Sequence, residues 1–190
     1  MTNKTTNKTF KNLLKLCILV SLLLSCGLTG ETKIRLETSA KDIVDEIDKI
    51  YKEAAAKNVK FEAFTSSATG GKVSGQPEFI REAKLRAIAV AEKFVKAIEE
   101  EATKLKETGS SGEFSAMYDL IFEVSEPLEK IGIQGMKKTV SDEAEISPPT
   151  TAEGVLAIVK KMKEKLINVK KKQTQEQETA KNPKTPAKAK

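Results

Sequence analysis

The side chains with the most chemistry to offer in this sequence are lysines. Projecting the last apolar-periodic segment at about 100° per residue, with Met162 at the centre of its buried face, puts Lys165, Lys172 and Lys161 about 60°, 80° and 100° to one side. They form a stripe along the edge of the apolar face, where methylene stems pack and ammonium groups reach outward. Lys163 and Lys170 fall on the opposite flank. In an earlier segment Lys84 lies about 80° from Phe94, again at the margin of an apolar face, where it could join the stripe of a neighbouring helix. Several flexible ammonium groups on a rigid scaffold suit a dense, repeating polyanion such as a sulfated polysaccharide; scattered lysines would serve solubility alone. The sequence leaves both readings open, because it does not say which helix flanks meet.

Other chemistry is excluded by composition. The chain has no histidine, no tryptophan and only two cysteines, Cys17 and Cys26, so the usual zinc sites, Ser-His-Asp triads and Cys-His pairs cannot be assembled from it. Glu99, Glu100 and Glu101 are clustered carboxylates, but consecutive placement spreads them around a helix without metal-ligand spacing, and they read as a solvated face. No catalytic residue, metal or cofactor is expected.

Cys26 has a different use. Lys4, Lys8, Lys11 and Lys15 precede an apolar run from Leu16 to Leu24, which is too short to span a bilayer and reads as a secretory signal peptide over 1–25. The run ends in Leu22-Leu23-Leu24-Ser25-Cys26-Gly27, which resembles a bacterial lipoprotein cleavage box in which the cysteine is lipidated. An ordinary signal peptide with an incidental cysteine is the alternative. Cleavage there removes four lysines, leaving a net charge of +2 and no disulfide. That balance hides an asymmetry: residues 160–190 hold 11 lysines against three glutamates, while residues 26–159 are net −6. A lipid anchor outside the cytoplasm argues against nucleic acid as the polyanion and leaves anionic membrane as an alternative for the tail.

The elements that must position these lysines are helical. After a tether over 26–38, Ser39 to Asp42 reads as a capping box, with Ile43, Ile47, Ile50 and Ala54 giving a first helix over 39–57. Residues 65–76, small, polar and glycine-rich, form a flexible loop containing Lys72. Pro77 opens a second helix that keeps one apolar face until Gly109. Ser110 to Glu113 caps a third, which Pro127 should kink before Gly132. A short helix is expected around Met136 to Glu143. Thr150 to Glu153 caps the last helix, whose pattern ends at Lys172, and a basic tail over 173–190 reads as disordered. The expected fold is all-α, a five-helix bundle over 39–172 with four long helices and one short. Tyr51, Phe79, Phe94, Phe114, Tyr118 and Phe122 fall on apolar faces and are assigned to its core.

Particular stretches carry a resemblance. Cys26 to Gly30 followed by TKIRLE, SAKDI at 39–43, REAKLRA at 81–87, ATKLKETGSSGEFSAMYDL at 102–120 and PPTTAEGVLAIVKKM at 148–162 resemble the decorin-binding protein A family of spirochaetes. The resemblance implies a lipid-anchored adhesin on the bacterial outer membrane. It implies binding of host decorin through its dermatan sulfate chain, and of heparin and heparan sulfate, without catalysis. It also implies that Lys84, Lys165 and Lys172 are the principal binding residues, with Lys161, Lys163, Lys170, Lys171 and Lys72 adding longer-range attraction. Two departures stand out: the loop holds Lys72 as its only basic residue, and the tail differs beyond the run of lysines at 170–172. The competing reading is a structural or partner-binding surface lipoprotein that recognises a protein through an apolar helical groove.

Overall fold

The computed structural model describes residues 27–60, 62–65 and 77–181. The signal segment with Cys26, the loop with Lys72 and residues 182–190 lie outside the described residues. The helices are α1 (Gly30–Ala56), α2 (Glu62–Thr65), α3 (Pro77–Lys104), α4 (Ser111–Lys130), α5 (Met136–Ile146) and α6 (Ala152–Lys181). Four long helices and one short one form the expected bundle, with α2 as an additional single turn; among the described residues there is no strand.

Spacings of three and four residues put the apolar side chains of each helix on one face. Leu36, Ala40, Ile43, Ile47, Ile50 and Ala54 of α1 are buried against Ile80, Ala83, Ala87, Ala91, Phe94 and Ile98 of α3, and Val155, Val159, Met162 and Leu166 extend the core from α6. Alanines at 83, 87 and 91 have no bulk beyond Cβ, which allows close approach of the neighbouring helices. Polar pairs set helix direction. Arg35 on α1 meets Glu100 and Glu101 on α3, while Arg86 pairs with Glu46 and Glu53, so α1 and α3 run antiparallel. Lys163 on α6 lies 2.7 Å from Glu99 and Lys170 lies 2.8 Å from Glu92, so α3 and α6 are antiparallel as well.

Several boundaries move. The first helix starts at Gly30 rather than at Ser39, and the expected tether is part of the body: Leu28 is 3% exposed and Leu36 fully buried. Thr32 and Arg35 bond to Glu101, so tertiary contacts hold the added turns and the cap pattern at Ser39 falls inside the helix. The second helix ends at Lys104, and a turn bonded from the Gly109 amide to the Leu105 carbonyl follows. The fourth extends to Ile146, and the third continues through Pro127 to Lys130. The last helix continues to Lys181, with Gln173 buried in the region expected to be disordered. Lysine, glutamine and glutamate are good helix formers, and local propensity carries the helix on past the end of its apolar pattern. Phe122 is 37% exposed rather than core, and Tyr51 and Tyr118 are only partly buried.

The expected cap at Ser110 forms in full: its hydroxyl accepts from the Glu113 amide, and the Glu113 carboxylate accepts from the Ser110 amide at 2.8 Å. At α6 the cap is Thr151, whose hydroxyl accepts from the Gly154 amide at 3.1 Å. Asn58 takes up a left-handed φ of 55° after α1, where the Val59 amide returns to the Ala54 carbonyl at 2.8 Å.

Two outcomes are expected. Ser110→Ala removes the reciprocal cap and lowers stability by about 1 kcal/mol, read as a lower urea midpoint at unchanged slope. Burial pushes the Glu101 carboxyl up, but hydrogen bonds from Lys104, Arg35 and Thr32 outweigh it and hold the group below its ordinary value. A depressed folded-state pKa gives stability that is present above the usual glutamate value of about 4.3 and lost as pH falls through the folded value. Urea unfolding along an acid series should therefore show a steeper loss in the parent than in Glu101→Gln, which starts less stable at neutral pH.

Candidate anion-binding site

The site lies where α3 and α6 meet the turn between α4 and α5. That turn, 131–135, closes α4 through Gly132 N–H to the Glu129 carbonyl at 2.9 Å and Ile133 N–H to the Leu128 carbonyl at 3.0 Å. Gly132 takes φ 91° and Gly135 takes φ 69°, both in the region that favours glycine. Space demands glycine at 132 as well: a Cβ there would sit 2.1 Å from the Phe64 carbonyl oxygen and 2.9 Å from the Lys84 ammonium. A Cβ on Gly135 would lie 3.1 Å from the Lys165 ammonium. The Gln134 amide donates to the Thr65 carbonyl at 2.7 Å and ties the turn to α2.

Lys84, Gln134, Lys161, Lys165 and Lys172 line one open cavity of about 430 Å³, together with Glu164, the single carboxylate of the lining among the described residues. The stripe projected from spacing thus converges with Lys84. Lys84 itself is 2% exposed instead of lying at a margin, because the α4–α5 turn covers it. Its ammonium sits by the C-terminal end of α4, where the helix dipole favours a positive charge. Lys161 stands 3.9 Å from Glu164, a loose pair, and Lys172 is exposed. Gln173, also in the lining, is buried with its side-chain oxygen unbonded.

The other candidate lysines are placed elsewhere. Lys163 and Lys170 lie on the opposite flank of α6, as projected, and there they bind Glu99 and Glu92. Lys171 is exposed outside the cavity lining, and Lys72 lies outside the described residues. Near the turn, Lys130 and Lys137 are engaged by Glu126, whose carboxyl their hydrogen bonds hold below its ordinary range against the effect of burial. Positive charge beside the site is thus met by Glu126, Glu99 and Glu92, while Lys84, Lys161, Lys165 and Lys172 share a lining that holds one carboxylate, Glu164.

The glutamate triplet is not a uniformly solvated face. Glu99 pairs with Lys163, Glu100 with Arg35, and Glu101 is 4% exposed beneath Arg35 and Lys104, because the end of α3 carrying it packs on α1. Sequence reasoning missed the contribution of Gln134 and of the two glycines beside it. The available signal was the pair Gly132 and Gly135 three residues apart between two helical patterns. Ammonium groups around an open cavity bind anions by charge and hydrogen bonds. Among the described residues, no group of three or more histidine, cysteine or acidic side chains could hold a metal ion.

Comparison with known proteins accords with this architecture. The family model described as decorin binding protein matches residues 31–190. The chain is 73% identical over 166 residues to decorin-binding protein A of Borreliella burgdorferi, covering 87% of this chain and 86% of that protein. It is 48% identical over 164 residues to decorin-binding protein B of the same species, covering 85% and 88%. The solved structure of decorin binding protein A from Borrelia burgdorferi strain N40 superposes with a TM-score of 0.69 at 62% identity, covering 86% of this chain and 99% of that one. The chain belongs to the decorin-binding protein family.

Proposed function

We propose that this chain is a lipid-anchored adhesin of the bacterial outer surface that binds decorin through its dermatan sulfate chain, and binds heparin and heparan sulfate by the same chemistry. The observation that carries the reading is the convergence of Lys161, Lys165, Lys172 and Lys84 around one cavity, while Lys163 and Lys170 are spent on α3 carboxylates. Kinship with decorin-binding proteins supports decorin as the partner. Lipidation at Cys26 supplies the attachment to the cell.

In this reading Lys165, Lys172 and Lys161 contact sulfate and carboxylate groups directly. Lys84 contributes its charge from beneath the turn and holds in place the backbone against which Lys165 rests. Exposed ion pairs contribute roughly 0.2 to 1 kcal/mol each, so one site binds weakly and firm adhesion comes from many anchored copies on one polymer. Lysines bound to a polyanion release its counterions, so affinity falls steeply with salt. Recognition of a protein through an apolar groove would instead resist salt and show a negative binding heat capacity.

The test is binding of the chain from residue 27 to immobilised dermatan sulfate across a salt series. The parent should bind at low salt and lose affinity steeply as salt rises. Lys165→Ala with Lys172→Ala should weaken binding and flatten the salt slope, whereas Lys163→Ala with Lys170→Ala, which removes lysines already paired, should change the slope much less. Equal effects of the two pairs would move the site off the cavity. Separately, Gly132→Ala should lower the urea midpoint and weaken binding together, because a Cβ at 132 meets both the Phe64 carbonyl and Lys84.

A further inference from the structure

The path by which the chain enters the bundle carries information about how the molecule sits on a cell. Gly27 is packed against the α3–α4 turn: a Cβ on it would lie 2.0 Å from the Gly112 carbonyl oxygen. Leu28 is buried in the core and α1 begins two residues later, at Gly30. The residue immediately before Gly27 in the chain is Cys26. A lipid on that cysteine is therefore joined to the folded body with almost no slack.

The same end of the bundle gathers other features. Lys106 of the α3–α4 turn lies 3.2 Å from Glu153 in the first turn of α6, which places the start of α6 beside the entry point. The linker from α5 packs on the same turn, since a Cβ on Gly154 would sit 1.9 Å from the Pro148 carbonyl oxygen. Four large apolar side chains stand exposed among the described residues, and the two most exposed are at this end. Ile34, one turn into α1, is 68% exposed, and Ile146, the last residue of α5, is 77% exposed. No described helix is long and apolar enough to cross a membrane. Isolated apolar side chains beside an acyl anchor suit the headgroup and upper acyl layer.

We infer that the end of the bundle formed by the α3–α4 turn, the start of α1 and the α5–α6 linker rests on the membrane that carries the Cys26 lipid, with Ile34 and Ile146 touching its surface. The inference rests on lipidation at Cys26, as proposed above. Along α6, at 1.5 Å per residue, Lys165 and Lys172 stand about 18 and 28 Å beyond Glu153. The lysine cavity is thus held at the far end, open to a polymer approaching from outside.

The test uses the full lipidated chain in vesicles of phosphatidylcholine with a minority of phosphatidylglycerol. Cys17 leaves with the signal peptide and Cys26 is acylated, so one introduced cysteine is the only free thiol for a fluorophore. Ile34→Cys and Ile146→Cys are compared with Glu62→Cys, an exposed position on α2 near the cavity. With a quencher on lipid headgroups, the labels at 34 and 146 should be quenched several-fold more than the label at 62. Leu28→Ser, which loosens the entry segment, should shrink that contrast. Equal quenching at all three positions on vesicle-bound protein would overturn the orientation while leaving the lipid anchor intact. Protein that stays out of the vesicle fraction would overturn lipidation itself, and the inference with it.

Discussion

The antiparallel packing of α6 on α3 is the constraint on which the site depends. It buries the apolar stripe of α6 and gives its two flanks opposite fates. On one flank Lys163 and Lys170 meet Glu99 and Glu92, so their charges are balanced within the fold. On the other flank Lys161, Lys165 and Lys172 face the cavity, where Glu164 is the one acidic side chain of the lining among the described residues. Six lysines lie between positions 160 and 171 of one helix, yet their electrostatic roles differ because of what stands opposite them. An exposed lysine near a carboxylate has less charge to offer a ligand than one facing open solvent.

The α4–α5 turn completes the arrangement. Its two left-handed glycines allow backbone to pass directly over Lys84 and against Lys165, an approach that any side chain at 132 would block. Burying an ammonium is costly unless polar groups surround it, and the backbone at the C-terminal end of α4 is a suitable environment. Gln134 fastens the turn to α2, the described element before the glycine-rich segment. The cavity lysines on α3 and α6 are thereby coupled to a turn that carries no charged residue of its own.

Polar ties also decide the other end of the bundle. Glu101 gathers Thr32, Arg35 and Lys104, and this cluster holds the first turns of α1, where no side-chain cap is present. The entry segment is consequently docked and not loose, which separates the lysine cavity from the entry point by much of the length of α6.

Much of this was legible in the residues. Three-four spacing announced each long helix and its buried face, the Ser110 capping box marked the start of α4, and projection of α6 separated Lys161, Lys165 and Lys172 from Lys163 and Lys170. These follow from local geometry, since one helix's periodicity relates its own side chains. The sequence alone did not place Gly30 to Thr38 or residues 173 to 181 in helices, because contacts distant in the chain stabilise the first and the second has a weak apolar pattern. Nor did it reveal that Lys84 is covered, that Glu101 is buried or that Phe122 is half outside. Which flank of α6 would be neutralised and which left open depended on the direction and rotation of α3 against it. Only tertiary packing decides that, because it brings together charges more than sixty residues apart.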